Sequence, residues 1–563
     1  MKKIKIFPFI IGAISALIVT GLLFYIFCPA FNIHNIDLWI FIDIAILTFT
    51  IVTRLAMGFN DFGTETVTIK KKKGNKNKTV TIKKPRFNAK YYIAPIVFTV
   101  LIFFIGIIGS SVFNATAYSE ILKVTESDFS QDLAESVGTD SIALMDTASA
   151  QMLGDREIGA LSDVVSQFNV SYDYTQIDYN GKPVKVAPLE YAGFFKWKNN
   201  KDNGVKGYVT VNPVTMSASF EKTEGMKYVP SAHFSENAFR YLWTKYPTLM
   251  LDNLHFEIDE NGKPYYIASV IENTIGLFGG TTVLGCVTLD PVTGETERYE
   301  TADIPHWIDV VFYGDLICRQ YNWSGMYSNG YMNSMFAKKD CKQVTTYYSG
   351  DDESDDGDAT PVSDYGYVAK DGDIWIYTGV TSVNGDSSNI GFLLANERTG
   401  ESRYYSIAGA DEKSAMAAAE GEVQEKGYQA SFPSLINIDG HPTYIMVLKD
   451  SGGLVKLYAT VNVEQYNIVT TASTQDECIK KYKETLGIKT EDTDKEIKET
   501  TITIASIKYI DIDGNTYIYI IDTDNNIFRA KAGEHENMLL LSAGDKVAIS
   551  YSDKTIISCE KVG

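Results

Sequence analysis

Apolar residues form three long runs near the amino terminus. Residues 6–27 carry no charge, residues 38–53 form a second apolar run, and residues 91–112 form a third without a charge. About 20 apolar residues at 1.5 Å rise each are enough to cross the hydrocarbon core of a bilayer. The pattern predicts three transmembrane helices, so that residues 1–113 form a membrane anchor.

A cleaved signal peptide would also begin with basic residues followed by an apolar run. The first run is longer than the apolar part of such a peptide, and no A-x-A-like cleavage site follows it. We therefore expect the first run to remain as a transmembrane helix.

The loop at 57–90 sets the expected orientation. Its tract at 70–90 (KKKKGNKNKTVTIKKPRFNAK) is strongly basic, and short basic loops stay in the cytoplasm. We expect the amino terminus inside, residues 29–37 outside, and the large carboxyl-terminal region extracellular at the cell membrane. Contact with anionic lipid or nucleic acid on the inner face is the alternative use of this tract.

Asp43 is the polar residue that stands out inside the second run. An acid in hydrocarbon is a candidate for proton relay or for pairing with another subunit. Asp43 lies roughly six residues from the outer boundary, about 9 Å by helical rise, where water can reach it. Placement at the membrane interface is therefore the competing interpretation.

The net charge of -20 is unevenly distributed. Residues 1–113 carry a net charge of +10, so residues 114–563 carry -30. A surface this acidic repels phosphate backbones, which argues against a nucleic acid partner for the large region.

Short phrases recur after the anchor. IDYNGKP at 177–183 matches IDENGKP at 258–264, and each is followed by a second shared phrase, VTVNPVT at 209–215 and VTLDPVT at 287–293. DGDIWIY at 371–377 with NERTGE at 396–401, and IDGHP at 438–442, are partial copies. Asn-Gly and Asp-Gly pairs favour tight hairpins, so the phrases predict four β-units.

Amphipathic helices are predicted before at least three of these units, at 147–168, 235–245 and 412–426. A helix followed by a small antiparallel sheet is an α+β module. Five short strands in the last 60 or so residues predict a small β-barrel of the OB or SH3-like type. The predicted segments are an anchor at 1–113, a connector at 114–145, units at 146–225 and 226–303, an aromatic connector with an acidic loop at 304–364, two further units at 365–488, and the barrel at 489–563.

The units resemble PepSY domains, in which one helix packs on a few strands that carry a G-K-P-like turn and a D-P-x-T-G-E-like turn. The matching residues are 261–264 (NGKP) and 290–295 (DPVTGE). The chain as a whole resembles membrane-anchored envelope proteins of Gram-positive bacteria. The resemblance implies non-catalytic roles, such as restraint of a peptidase or binding in the envelope.

Templates for chemistry are incomplete. His535 begins an H-E-x-x-H pattern, but Leu539 stands where the second zinc ligand is needed. The acidic stretch at 351–358 lacks the twelfth-position Glu of a calcium loop, which leaves a solvated loop or a weak cation site. Cys318 with Cys341 is the first disulfide to test, and free buried thiols are the alternative. We predict no catalytic residues, no metal site and no cofactor.

Residues 304–336 are rich in aromatic side chains, which alternate with charged and polar residues. Exposed rings could form a platform for sugar or peptide, and Trp307, Trp323 and Tyr327 are the expected contacts. The alternative is that these rings fill the gap between the second and third units.

The sequence therefore predicts a non-catalytic, membrane-anchored extracellular protein that binds or regulates a protein, for example a peptidase, or a wall polymer. One alternative is an envelope hydrolase or its regulatory subunit, with residues 304–336 as the cleft. Another is an accessory subunit of a transporter or signalling complex that acts through Asp43.

Overall fold

Among the described residues, two helices are long and apolar enough to cross a membrane, Ile6–Phe27 and Ile36–Ala56. The third apolar run forms Ile93–Ile108 and Ser111–Ser119, which are bent by 41° at the break and make a span only if they act together. At this break, Asn114 Nδ2 donates to the carbonyl of Ile108 at 2.6 Å. Side chains that bond to helix carbonyls in this way compete with the backbone ladder and bend helices.

The structure is a computed structural model and describes residues 6–56, 64–73, 76–85, 92–133, 144–345, 365–383, 388–488, 498–512, 515–552 and 554–562. The acidic stretch at 351–358 and most of the polar linker at 490–500 lie outside the described residues. Within the basic loop, strands Thr64–Lys73 and Lys76–Pro85 pair as an antiparallel hairpin. The chain divides into two compact regions, Met1–Tyr482 and Lys483–Gly563, and the first region contains all of the repeat units.

The first compact region is a mixed α+β structure in which one pattern of helix and strands occurs four times. Each repeat unit is a helix followed by four antiparallel strand positions in chain order. In units one, three and four the first position is filled by two short strands that pair with the same neighbour. In unit two it is one strand with an irregular register. In the sequence, the acidic stretch lies between the two short strands of the first position of unit three.

The helices that begin the units are Thr147–Gly159, Ala238–Lys245, Gly314–Tyr327 and Glu412–Glu422. The strands of unit one are Phe168–Val170, Thr175–Asp178, Pro183–Tyr191, Val205–Asn212 and Ser217–Met226. Those of unit two are Met250–Ile258, Pro264–Ile275, Gly279–Leu289 and Thr296–Glu300. Those of unit three are Lys342–Val344, Gly366–Lys370, Asp373–Ser382, Gly391–Asn396 and Ser402–Tyr405. Those of unit four are Gln429–Ala430, Ser434–Ile438, His441–Lys449, Val455–Asn462 and Val469–Ala472.

Smaller elements join these units. The helices among them are Phe129–Asp132, Ser162–Val165, Phe194–Asn200 and Gln475–Thr485, and a π-helical turn covers Asn333–Ala337. Strand Val124–Glu126 adds in parallel to the last strand of unit three, and Ser388–Asn389 pairs with Gly409–Ala410. Short 3-10 segments lie at Phe234–Glu236 and Gln424–Lys426.

The first repeated phrase forms the turn between the first and second strand positions. Positive φ angles occur at Asn180 and Gly181, at Gly262, at Asp371 and Gly372, and at Asp439 and Gly440. This backbone conformation favours Gly, Asn and Asp and matches the twist of a tight hairpin. The hairpin that each phrase predicts is therefore present in all four units.

The second phrase closes the turn between the third and fourth positions. Asn212, Asp290 and Asn396 each accept backbone N–H groups from the residues two and three positions later. Asn462 does the same for Gln465 at 2.7 Å in unit four. These side-chain turns make the third-to-fourth connection equivalent in every unit.

The units share cores in pairs. One cluster of buried side chains joins units one and two, and a second joins units three and four. On its other side, unit two packs on Ile308, Val311 and Leu316, while unit three packs on Ile317 and Tyr321. Residues 304–313 and the helix of unit three therefore fill the space between the sheets of units two and three.

Unit two also contacts the ends of the apolar helices. Trp243 Nε1 donates to the carbonyl of Pro29 at 2.9 Å, and Asn273 Nδ2 donates to that of His34 at 3.0 Å. Both acceptors lie in the connection between the first two apolar helices. The repeats are thus held directly against the end of the anchor by polar contacts.

The second compact region is a closed five-stranded barrel. Its strands are Lys498–Ile512, Asn515–Asp522, Ile527–Lys531, Lys546–Ser552 and Thr555–Lys561. Their order around the barrel is first, second, third, fifth and fourth. The 3-10 segments Ala532–Glu534 and Glu536–Leu540 follow the third strand, and Met538 from this region is fully buried in the core. The small barrel expected from the sequence is confirmed.

Candidate functional site

A cavity of about 440 Å³ lies where units one, three and four meet. It is within the size range of about 300–1,000 Å³ that is typical of ligand pockets. Its lining residues come from segment 144–148, from two strands of unit one, from the start of unit three and from unit four: Leu144, Met145, Asp146, Thr147, Ala148, Gln176, Lys185, Tyr365, Gly366, Tyr367, Met416, Ala430, Phe432, Pro433 and Ser434. The walls are mostly apolar, with a few polar groups that could orient a ligand.

Lys185 is the charged side chain that distinguishes this cavity. It lies on the second strand of unit one and is only 3% exposed, because unit three covers that face of the strand. Its Nζ is 5.2 Å from the centroid of the Tyr367 ring. Within the described part of the chain it forms no ion pair with a carboxylate.

Burial lowers the pKa of Lys185 to about 8, because removal from water disfavours the charged ammonium. The negative charges of Asp146 and Glu397 oppose this lowering. Lysines are almost never fully buried unless they are paired. A carboxylate from a ligand would supply the missing partner.

The amino-terminal end of the first repeat helix forms another side of the cavity. Thr147 and Ala148 are its first residues, and the first N–H groups of a helix have no acceptor within the helix. Asp146 caps this helix through the N–H of Ser149 at 2.9 Å and is ion-paired with Lys449. The acid in the cavity wall thus already has two partners in the protein, although its charge still acts on Lys185.

Gln176 adds an unused acceptor. Its side chain is 2% exposed, and its Oε1 has no hydrogen-bond donor among the described residues. A buried acceptor without a donor is costly. A ligand that brought both a carboxylate and an N–H group, as a peptide does, would satisfy Lys185 and Gln176 together.

Three buried acids lie at the junction of units one, two and three. Glu257 accepts the N–H of Asp309 and of the next residue, both at 2.9 Å, and Asp309 accepts the N–H of Asp178 at 2.8 Å. Glu397 accepts the N–H of Gly314 at 3.1 Å. Burial, reinforced by the charge of Glu257, holds the pKa of both Asp309 and Glu397 well above its usual range. These bonds fasten residues 309–314 to the units on either side.

The aromatic residues expected to contact a ligand are separated in the structure. Trp307 is half-buried against Tyr265, with ring centroids 4.7 Å apart. Trp323 and Tyr327 lie together on the helix of unit three, where both rings contact Tyr118, at 5.0 and 6.4 Å. Two of the three are therefore side by side and face the helix that follows the third apolar run. Their contact with a ligand stays a prediction.

Asp43 joins the second and third apolar helices. Thr99 Oγ1 donates to Asp43 Oδ2 at 2.6 Å, and the Trp39 and Phe98 rings stack nearby at 6.0 Å. Asp43 Oδ1 is buried without a donor among the described residues. The acid considered for proton relay or subunit pairing thus has a hydrogen-bond partner within the anchor itself.

The candidate cysteine pair lies in the third repeat unit, and the incomplete zinc-binding pattern lies in the terminal barrel. Cys318 and Cys341 are both buried and are not joined to each other by a disulfide. His535 lies between the two 3-10 segments of the barrel, and Leu539 lies within the second of them. Within the residues that the structure describes, no three His, Cys, Asp or Glu side chains converge on a site for a metal ion.

Comparisons with known proteins add no functional information. No protein-family model matches the chain, and no curated protein matches it. Solved structures that align include the levansucrase of Bacillus subtilis, with 8% identity and a TM-score of 0.17 over 77% of this chain and 97% of that one. A variant of the Bacillus megaterium levansucrase aligns with 9% identity and a TM-score of 0.18 over 80% and 97%. Scores this low support no conclusion about fold or activity.

Proposed function

We propose that the protein is a non-catalytic, membrane-anchored protein of the cell envelope whose repeats face outward and bind a protein or wall-polymer partner. The observation that carries this proposal is the cavity between units one, three and four, with the buried Lys185 in its wall, which has no carboxylate ion-pair partner among the described residues. The group recognised there is a carboxylate, and the neighbouring Gln176 acceptor favours a peptide as its carrier.

The third apolar helix supports the three-span topology. A methyl group added to Gly276 would lie 2.7 Å from the Cα of Gly109, just beyond the end of that helix. In the same hairpin of unit two, Asn273 bonds to His34 between the first two helices. One end of each of the three helices therefore meets one surface of the repeats. The basic loop joins the other ends of the second and third helices, and the positive-inside rule assigns this loop to the cytoplasm.

The modular build supports binding. Four copies of a helix with an antiparallel sheet are the arrangement that the resemblance to PepSY domains implies, and a cavity lies where units one, three and four meet. The terminal barrel has five strands, which is the number of strands in a barrel of the OB type. In this account, restraint of an envelope peptidase would follow from capture of one of its acidic segments.

The test is site-specific photo-crosslinking in native membranes of the source cells. A benzoylphenylalanine at Phe432, in the cavity wall, should give adducts with a defined envelope protein or with wall peptide, which mass spectrometry of the attached fragment distinguishes. Lys185→Met should abolish these adducts because it removes the ammonium and keeps the stem.

Lys182→Met is the matched control, since Lys182 is exposed on the turn that precedes the same strand. Adducts that persist in Lys185→Met, or cleavage of a captured peptide by the purified protein, would contradict the proposal. The second outcome would favour the hydrolase alternative.

A further inference from the structure

Exposed phenylalanines in the described part of residues 114–488 are confined to two groups. Phe194, Phe195 and Phe234 are 41%, 76% and 56% exposed, and Phe336 is 73% exposed. Met332 and Met335, beside Phe336, are 66% and 51% exposed. Clustered apolar side chains on a folded surface mark a contact with another apolar body.

The first group lies next to the end of the first apolar helix. The ring of Phe234 is 5.6 Å from that of Trp197, on the short helix that carries Phe194 and Phe195. The carbonyl of Phe234 accepts from Arg240 Nη1 at 2.8 Å, while Arg240 Nε donates to the carbonyl of Tyr25 at 2.9 Å. Tyr25 belongs to the last turn of the apolar helix. One arginine side chain thus separates this group from the membrane-crossing segment.

The second group lies next to the end of the third apolar helix. Tyr327 is within hydrogen-bond distance of Ser111, with 3.1 Å between Oη and Oγ, and its ring stacks on that of Tyr331 at 6.2 Å. Met332, Met335 and Phe336 follow directly. Ser111 begins the helix that continues the third apolar run. Both groups therefore flank the anchor at the surface where it meets the repeats.

The backbone that displays the second group is ordered by its own polar contacts. Asn333 Nδ2 donates to the carbonyl of Lys339 at 2.8 Å, and the N–H of Lys338 donates to the carbonyl of Asn333 at 2.6 Å. The π-helical turn Asn333–Ala337 is closed by these bonds. The apolar side chains are thus held outward by a fixed loop.

Basic residues accompany both groups in a region that is otherwise acidic. The sequences are FFKWK at 194–198 and MFAKK at 335–339, whereas residues 114–563 as a whole carry a net charge of -30. Lys198 and Lys339 are exposed. Large apolar side chains followed by lysines are typical of segments that lie in the headgroup region of a bilayer, with the apolar atoms below and the ammonium groups at the phosphates.

We propose that these two groups insert into the bilayer leaflet at the helix ends that contact unit two, and that they seat the repeats on the membrane surface. The occupant is that leaflet, because both groups lie next to the ends of apolar helices and both carry charge complementary to anionic lipid. The seat fixes the distance of the ligand cavity from the membrane, which goes beyond the proposed function and does not depend on the identity of the ligand.

The test uses the full chain in nanodiscs of phosphatidylcholine and phosphatidylglycerol. Nitroxide labels are attached to Phe195→Cys, Met332→Cys and Phe336→Cys, and Tyr172→Cys is the matched control because Tyr172 is 73% exposed but belongs to neither group. The native cysteines are buried, and labelling of the unsubstituted protein gives the background. Each variant is used only if its melting temperature matches that of the unsubstituted protein.

Labels at the three test positions should collide several-fold more often with dissolved oxygen than with a water-soluble nickel chelate, relative to the label at Tyr172. Discs without phosphatidylglycerol should reduce this immersion, since the lysines lose their anionic partners. Equal accessibility to the nickel chelate at all four positions would overturn the proposal. That result is also expected if the groups instead served a protein partner, which purified discs lack.

Discussion

Replacement of Lys185 by Met should make the protein more stable at neutral pH. The folded state holds the Lys185 ammonium in a buried site, where burial lowers the pKa from 10.5 to about 8. The difference of roughly 2.5 pKa units corresponds to a free-energy cost of about 3 kcal/mol for keeping the charge in the folded protein. Methionine keeps the apolar stem of the lysine and removes the charge, so this cost disappears in the variant.

The sign of the pH dependence follows from which state binds the proton more tightly. The unfolded chain retains the Lys185 proton up to about pH 10.5, whereas the folded protein releases it near pH 8. Below pH 8 lysine is charged in both states and the full penalty is present. As pH rises from 8 to 10.5 the penalty is lost, so the advantage of Lys185→Met should shrink over this window and vanish above it.

The assay is thermal unfolding of the full chain in detergent micelles at a series of pH values. About 3 kcal/mol corresponds to a rise in melting temperature of about 4 °C if the four units unfold together. The control Lys182→Met removes an exposed charge and should change stability by less than about 0.5 kcal/mol. A variant that is less stable at pH 7, or whose advantage does not depend on pH, would refute a buried charged lysine. Stability gained together with capture lost would identify Lys185 as a binding residue.

Three further predictions concern the buried acid, the anchor and its contact with the repeats. Glu397→Gln should raise stability at pH 7, because burial raises the Glu397 pKa, and the gain in stability should vanish as pH falls below the ordinary pKa of 4.5. Melting temperatures measured at a series of pH values test this, and a stability difference that does not depend on pH would contradict it. Thr99→Val should weaken association of the second and third apolar helices by about 1 kcal/mol through loss of the bond to Asp43, measured by unfolding in mixed micelles, and an unchanged midpoint would exclude that bond. Gly279→Ala should weaken docking of unit two by about 1–3 kcal/mol, since the added methyl would lie 2.6 Å from a backbone oxygen at the end of the third apolar helix. Hydrogen exchange at residues 110–118 should then increase, whereas Gly159→Ala, which meets nothing within 4 Å, should leave it unchanged.

Turn chemistry made much of the strand pattern predictable. A tight hairpin needs positive φ, and few residues supply it, so a phrase such as NGKP specifies the hairpin wherever it occurs. The fourth side-chain turn is not predicted because Asn462 is followed by Val-Glu-Gln, without the Thr that stands three residues after the Asn or Asp in each of the other copies. The hydrogen bond needs only the Asn side chain, which a phrase search does not isolate.

The helix of unit three, Gly314–Tyr327, could not be recognised from periodicity. It buries side chains on two sides, towards unit two and towards unit three, so its apolar residues do not form one stripe. The sequence pattern therefore predicts only an aromatic connector over these residues. The break at residues 109–110 was hidden for a related reason, since the apolar run continues through it and the bend depends on polar side chains such as Asn114.

The cavity was beyond the reach of the sequence. Lys185 follows the alternation of a strand with one face in water, yet unit three, nearly two hundred residues later, covers that face. Asp146, Gln176 and Ser434 approach one another only through the packing of units one, three and four. No local pattern encodes a site that separate repeats build together.

The account depends most on the side of the membrane that the repeats occupy. Single cysteines introduced at Ser219, which is exposed in unit one, and at Gly58, in the basic loop, can be tested with a membrane-impermeant maleimide on intact cells. We expect the cysteine at 219 to react in intact cells and the cysteine at 58 to react only after lysis. Reaction at 58 in intact cells, with protection at 219 until lysis, would invert the topology and contradict an outward-facing binding protein.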